Sequence, residues 1–148
     1  MAVELEQKGI VLYESLTRRA RTEDGKEMFR FLAEEERHHL ELFSRLLGEI
    51  GEFDFGDNEE VARYLGSIVE GGILAKVLKG GIDPEGLDVL GALEVGIEVE
   101  KESILFYQGF LPLVPPTQKT WVEKVVEEEK KHFLCLSELK KTFAGEKE

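Results

Sequence analysis

Apolar side chains recur every three or four residues along most of the chain, which is the spacing of one face of an α-helix. The first stripe comprises Val3, Ile10, Tyr13, Thr17 and Ala20. A polar turn at residues 22–25 separates it from a second stripe at Met28, Leu32, Phe43 and Leu46, which stops at Gly48. The pattern predicts two helices joined by a short turn, and we expect them to lie antiparallel.

The middle of the chain, residues 49–83, has a weaker pattern. A polar stretch at residues 51–58 leads into a short amphipathic segment around Val61, Tyr64, Leu65 and Ile68, and glycine pairs follow at 71–72 and 80–81. We interpret this region as a long crossover that contains a short helix. Such a connection brings the third helix of a bundle parallel to its second.

Two further helices are predicted in the last part of the chain. Asp83-Pro84 has the composition of a helix start, because Asp caps well and proline is tolerated in the first turn. Pro112 and Pro115-Pro116 should end that helix, since proline cannot donate to the helical ladder. Thr117 is then the expected cap of the fourth helix. The apolar stripes are Leu90, Leu93, Ile97, Ile104 and Tyr107 in the third helix, and Trp121, Val125, Leu136 and Leu139 in the fourth.

No segment shows the alternation of a strand, so the predicted fold is all-α. We expect an antiparallel four-helix bundle that forms one domain over residues 1–148. Within it the chain repeats itself. Residues 98–107 resemble residues 4–13, and residues 127–132 resemble residues 34–39. The two halves, about 1–48 and 84–143, each offer one Glu and then a Glu-x-x-His on the apolar stripes.

This doubled motif has the chemistry of a metal centre. Positions three apart on a helix lie on one face, so a Glu and a His at that spacing can bind one ion together. Two lone carboxylates and two Glu-x-x-His pairs are the ligand set of a bundle that holds two ions. Glu36 and Glu129 are the expected bridges, and Glu6 and Glu100 the terminal ligands. The six candidate ligands are Glu6, Glu36, His39, Glu100, Glu129 and His132.

Several alternatives remain open at this point. A shift of helix phase would make Glu35 and His38 the ligands, and Glu4, Glu98 and Glu102 compete with the lone carboxylates. All of these acidic residues could also be solvated surface charge. Tyr13 and Tyr107 each follow a lone Glu by seven residues, so they are either core aromatics or donors that orient ligand carboxylates.

The composition limits the classes of molecule that the protein is expected to bind. The formal charge of −12 and a pI near 4.8 argue against nucleic acid and anionic membranes, whereas an acidic protein suits cations. A single cysteine, Cys135, cannot form an internal disulfide, and we expect it to be a small buried hydrophobe. With no predicted signal peptide or membrane span, the expected location is the cytoplasm.

The spacing Glu-x6-Tyr followed by Leu-Ala-Glu-Glu-Glu-x-x-His, and its repeat, resembles the ferritin-like superfamily and most closely the rubrerythrin-like diiron-carboxylate proteins. This resemblance implies a homodimer or larger assembly and two iron ions, with manganese or zinc as possible substitutes. It also implies reduction of hydrogen peroxide. Full-length relatives carry a rubredoxin domain, which this sequence lacks, so we expect an external donor such as a rubredoxin-like protein. They also carry an extra Glu on the third helix, where this chain has Ile97 and Ser103.

The leading hypothesis is therefore a non-haem diiron protein that reduces hydrogen peroxide or dioxygen. An iron-handling ferroxidase is the first alternative. A bundle in which the metal serves only as a structural staple is the second.

Overall fold

A computed structural model of the chain describes residues 2–50, 59–73, 76 and 88–145. These residues form α-helices and two short 3-10 turns, Leu111–Leu113 and Pro116–Gln118, and no described residue lies in a β-strand. The predicted all-α class is confirmed. The helices are α1 (Ala2–Arg19), α2 (Glu23–Ile50), α3 (Glu59–Gly71), α4 (Val89–Phe110) and α5 (Lys119–Gly145).

The four long helices pack as two hairpins, α1 with α2 and α4 with α5, and α1 also contacts α4. Two hydrogen bonds fix the direction of α1 against α4, because Tyr13 lies opposite Glu100 and Tyr107 lies opposite Glu6. The two helices are therefore antiparallel, and α2 runs in the direction of α4. This is the predicted ferritin-like bundle, with the crossover between α2 and α4.

The core follows from the apolar stripes and extends beyond them. Leu32, Leu93 and Leu136 are buried as predicted. Leu12 and Leu16 were not in the predicted stripe of α1, yet both are almost completely buried. The reason is that α1 packs against two neighbours, α2 and α4, so its apolar face is wider than one stripe.

The helix ends differ from the predictions in three places. Asp88 caps α4, since its side chain accepts a hydrogen bond from the Gly91 N–H at 2.7 Å, and the predicted start Asp83-Pro84 lies outside the described residues. Helix α2 continues past Gly48 to Ile50. Thr117 lies within a 3-10 turn, and α5 begins at Lys119. Helix α4 ends at Phe110 just before Pro112, as predicted.

Two side chains on α5 were placed wrongly by the sequence pattern. Trp121 is 43% exposed, because it lies in the first turn of α5 beside a surface pocket rather than in the core. Cys135 is exposed rather than buried. The predicted stripe positions Val3, Phe43 and Leu46 have side chains outside the described part of the structure.

The crossover helix α3 lies against α4, which confirms the predicted short helix. Leu65 is fully buried in this contact, whereas Tyr64 is half exposed. The turn after α3 is held by Glu102 on α4, whose carboxylate accepts the Ile73 N–H. A Cβ at Gly72 would overlap that carboxylate, so a larger residue there would displace the Glu102 side chain.

None of the helices in the part of the chain that the structure describes combines the length and the hydrophobicity that a bilayer crossing requires.

Candidate metal centre

Six polar side chains meet inside the bundle, where apolar side chains would normally be expected. Each is at most 3% exposed, and they come from all four long helices. They are the six candidate ligands of the sequence, Glu6 on α1, Glu36 and His39 on α2, Glu100 on α4, and Glu129 and His132 on α5. We refer to these six residues as the carboxylate cluster.

The carboxylate cluster divides into two overlapping groups. In each group, one ligand atom per residue lies within 4.8 Å of all the others. Glu36 and Glu129 belong to both groups. Glu6 and His39 complete the first group, and Glu100 and His132 complete the second. The arrangement is that of two neighbouring cation sites that share two carboxylates.

The two shared carboxylates each direct one oxygen to each histidine. Glu129 Oε1 lies 2.7 Å from Nδ1 of His39, and its Oε2 lies 3.6 Å from Nδ1 of His132. Glu36 places Oε2 at 4.0 Å from Nδ1 of His39 and Oε1 at 3.5 Å from Nδ1 of His132. A carboxylate oriented in this way can bind two ions, one through each oxygen.

The lone carboxylates lie at opposite ends of this arrangement. Glu6 Oε2 is 3.7 Å from Nδ1 of His39, and Glu100 Oε1 is 3.7 Å from Nδ1 of His132. The two imidazole rings have centroids 5.9 Å apart. The placement therefore follows the internal repeat, since each half contributes a lone Glu to one end and a shared Glu to the middle.

Tyr13 and Tyr107 are fully buried and repeat the same relation. The Tyr13 hydroxyl donates to Glu100, and the Tyr107 hydroxyl donates to Glu6, so each half orients the lone carboxylate of the other. Burial and the nearby carboxylate charges raise the pKa of both phenols well above the ordinary value. Both hydroxyls therefore remain protonated donors, the role that the sequence left open between packing and ligand orientation.

The cluster is electrostatically unfavourable on its own. Burial is the main cause that raises the pKa of Glu100 well above its usual value, and the charges of Glu129 and Glu36 add to it. The pKa of Glu129 is also raised, first by burial and then by the charge of Glu36. Without a cation, these carboxylates tend to keep protons rather than ionise side by side.

Burial lowers the pKa of a histidine, whereas it raises the pKa of a carboxylate. For both histidines the nearby carboxylates outweigh burial. Burial alone would lower the pKa of His39, but its hydrogen bond to Glu129 and the neighbouring carboxylate charges raise it to about 10. The pKa of His132 is raised as well, because Glu36 and Glu100 outweigh the effect of burial. Without a cation, His39 is thus protonated at neutral pH, and the pKa of His132 is shifted in the same direction.

Several buried polar atoms of the cluster have no hydrogen-bond partner, and cations would bind at such atoms in place of protons. Among the described residues, five buried side-chain atoms have no hydrogen-bond partner, and one of them is the hydroxyl of Ser15. The other four belong to the carboxylate cluster: Oε2 of Glu6, Glu100 and Glu129, and Nδ1 of His132. Buried polar atoms normally find partners. Four acidic side chains and two imidazoles without a thiolate suit divalent iron or manganese, so the residues fit a pair of such ions.

The raised pKa values predict how pH acts on the protein. In the metal-free state, protonated His39 stabilises the fold. This contribution is fully present below the pKa of histidine in the unfolded chain, near 6.5, and it is lost as pH rises to about 10. Glu100 and Glu129 act in the same direction, because the folded state retains protons that the unfolded state releases above pH 4.5. Stability of the metal-free protein should therefore fall as pH rises.

Metal uptake should show the reverse dependence on pH, because ligand atoms must lose their protons. We expect the apparent affinity for Co(II) to rise between pH 6 and pH 9, with at least one proton released per chain, since His39 holds its proton throughout this range. Calorimetry in buffers of different ionisation enthalpy measures that release. Binding without proton release would contradict the proposed ligands.

The alternative ligands lie elsewhere. His38 is exposed and Glu35 is half-buried, so the phase of α2 directs Glu36 and His39 inward. Glu98 is exposed and pairs with Lys101 at 3.0 Å, and Glu102 holds the crossover turn. The side chain of Glu4 lies outside the described part of the structure.

The sequence pattern missed one residue beside the cluster. The Oε2 atom of Glu128 lies 2.5 Å from Nε2 of His39, and the Glu128 side chain is only 28% exposed. Glu128 is not on the inward stripe of α5. Its partner is on α2, so only the pairing of the two helices brings the residues together. The adjacent run of three Glu residues was the one available signal.

Comparisons with known proteins agree with this geometry. A family model described as rubrerythrin matches residues 1–140 of the sequence. A crystal structure from Thermotoga maritima, described as that of a ferritin-like diiron-carboxylate protein, is similar to this chain with a TM-score of 0.67 and 24% sequence identity. The match covers 95% of this chain and 89% of the other, and at this identity it supports the fold. No curated protein was found to match the sequence.

Proposed function

Because the chain belongs to the rubrerythrin family, we propose that it is a non-haem diiron oxidoreductase that reduces hydrogen peroxide to water. The observation that carries the proposal is the sharing of Glu36 and Glu129 between two adjacent ligand groups. A pair of ions held by common carboxylates differs from a structural zinc site, which is one closed tetrahedron. The arrangement suits a reaction that needs two electrons at one place.

A bound iron pair supplies two electrons to the O–O bond of peroxide, which with two protons gives two water molecules. The protein provides the ligands and their orientation. Glu6 with His39 and Glu100 with His132 would hold one ion each, and the shared carboxylates would bridge them. The tyrosine hydroxyls fix the lone carboxylates across the bundle and stay protonated.

Substrate access is consistent with a small molecule. A pocket of about 350 Å³ opens at the surface between α2 and α5, and His39, Glu128 and Trp121 are among the residues that line it. His39 belongs both to the lining of this pocket and to the cluster.

Helix α4 contributes one carboxylate to the cluster. One turn before and after Glu100 it carries Ile97 and Ser103, both buried, so no second carboxylate is available from α4 at that spacing. We infer that the ligand set stays the same in the reduced and oxidised states. Electrons would come from a separate donor such as a rubredoxin-like protein, and the role would be protection against peroxide in the cytoplasm.

Stopped-flow mixing tests the proposal. Protein loaded anaerobically with two Fe(II) per chain should be oxidised by hydrogen peroxide at least about tenfold faster than Fe(II) in buffer, which corresponds to about 1.4 kcal/mol of the barrier. A Glu129→Gln variant is the control, because it lacks a carboxylate of both groups and should oxidise at the rate of free iron.

Three outcomes would contradict the proposal. Oxidation of the loaded wild-type protein no faster than free iron would remove the peroxidase reaction. Rapid uptake and oxidation of many irons per chain with dioxygen would instead support a ferroxidase. Zinc as the sole metal in protein purified anaerobically from its own cells would favour a structural role.

A further inference from the structure

His39 uses both nitrogen atoms of its ring. Nδ1 faces the carboxylate cluster, 2.7 Å from Glu129, whereas Nε2 faces outward, 2.5 Å from Glu128 Oε2 at the edge of the surface pocket. His39 itself is 2% exposed, so its ring has little room to turn. The imidazole therefore spans the wall between the cluster and the pocket.

We propose that Glu128 is a positioning residue, which accepts the Nε2–H of His39 and thereby leaves Nδ1 directed at the cation site as the nitrogen that gives up its proton when an ion binds. This inference rests on the proposed metal centre. A neutral imidazole carries one proton, and the nitrogen that binds an ion must be the one without it. A carboxylate on the other nitrogen selects that tautomer and makes the ring a better donor to the ion.

The repeat does not duplicate this interaction. Glu35 is the counterpart of Glu128, and His132 is the counterpart of His39, so a symmetric molecule would join Glu35 to His132. Instead, the carboxylate of Glu35 lies within 4.8 Å of His39 and Glu128. Among the described residues, His132 contacts no carboxylate outside the cluster. The ion beside His39 should therefore depend on Glu128, and the ion beside His132 should not.

Three variants separate a hydrogen bond from a general charge effect. Glu128→Leu removes the acceptor and the charge, whereas Glu128→Gln removes the charge and retains an acceptor oxygen. Glu35→Leu removes the same charge from the same pocket without removing the hydrogen bond to His39, so it is the matched control. Both residues are partly exposed, and circular dichroism of each metal-free variant verifies the fold.

Anaerobic titration with Co(II) is the measurement. We expect Glu128→Leu to bind one of two ions about 10- to 100-fold more weakly than wild type. The affinity of Glu128→Gln for that ion should lie between those of wild type and Glu128→Leu. Glu35→Leu should keep both affinities. Anomalous diffraction at the cobalt edge should then show reduced occupancy beside His39 and full occupancy beside His132 in the Glu128→Leu crystal.

The possible failures are distinct. If wild type and Glu128→Leu bind two Co(II) alike, the positioning role is wrong and the metal centre stands. An equal loss in Glu35→Leu, or a loss spread evenly over both ions, would also overturn the positioning role. Wild-type protein that binds no Co(II) would overturn both the metal centre and the role of Glu128.

Discussion

Loading the metal-free protein anaerobically with Fe(II) is expected to raise its free energy of unfolding by about 4 kcal/mol when free Fe(II) is about a thousand times the dissociation constant. For a chain of this size each kcal/mol shifts the melting temperature by about 2–4 °C, so the midpoint should rise by about 10 °C. The reason is that cations replace protons among four buried carboxylates. Thermal unfolding with and without Fe(II) measures the shift.

The Glu129→Gln variant should be more stable than wild type without metal and less stable than wild type with Fe(II). In the metal-free state the substitution removes one of the crowded carboxylates, and we expect about 1–3 kcal/mol of stabilisation, in the range seen when buried charges are replaced by neutral groups. The variant should gain almost nothing from Fe(II), because Glu129 belongs to both ligand groups. Wild type would then be less stable without metal and more stable with it.

Glu127→Gln is the matched control. Glu127 lies two residues earlier on the same helix, is exposed, and pairs with Lys130 at 3.3 Å. A surface pair of this kind contributes at most about 1 kcal/mol, so the control should retain the full metal-dependent shift. Equal stabilisation of wild type and Glu129→Gln by Fe(II) would show that the ions bind elsewhere.

The sequence was sufficient to predict which Glu and His side chains face the interior of the bundle, because helix geometry fixes this locally. A Glu and a His three residues apart share a face whatever the rest of the fold does. The internal repeat then selected Glu36 and His39 over Glu35 and His38, and the structure directs that pair inward. The repeat left open whether the tyrosines only pack or also donate, and the structure shows both hydroxyls donating to the lone carboxylates.

The sequence was insufficient where two helices determine the result together. Glu128 is off the inward stripe of its own helix and contacts His39 only because α5 lies beside α2. Leu12 is buried because α1 has two neighbours. Trp121 was placed inward from the apolar stripe and Cys135 from its residue type, but both are exposed on α5. Contacts between elements distant in sequence leave no periodic signal in either element.

The two halves also differ in a way that the repeat did not indicate. Each lone carboxylate receives a tyrosine hydroxyl from the other half, so the ends of the cluster are equivalent in that respect. The outer nitrogen of only one histidine meets a carboxylate among the described residues. The ligands are thus nearly symmetric while their surroundings are not, and the two ions should differ in affinity.

Substitution of single ligands should distinguish shared from terminal positions. Glu6→Gln should lose the ion beside His39 and Glu100→Gln the ion beside His132, so each variant keeps one ion. Glu36→Gln should lose high affinity for both, since its two oxygens face different histidines. For each ion that is lost, we expect the affinity to fall by more than the roughly 10- to 100-fold that hydrogen-bond partners of the ligands contribute. Co(II) stoichiometry measures the number of ions retained.

Anomalous diffraction at the cobalt edge from crystals of Glu6→Gln and Glu100→Gln should show one ion each, at different positions. Glu98→Gln is the control on α4, because Glu98 is exposed and pairs with Lys101 outside the cluster. This control should bind two ions as wild type does. If Glu36→Gln retained one tightly bound ion, as the terminal variants should, Glu36 would serve a single site. Glu129 would then be the one remaining carboxylate shared by the two cation sites among the described residues, and the doubly bridged pair proposed for the two-electron reaction would be wrong.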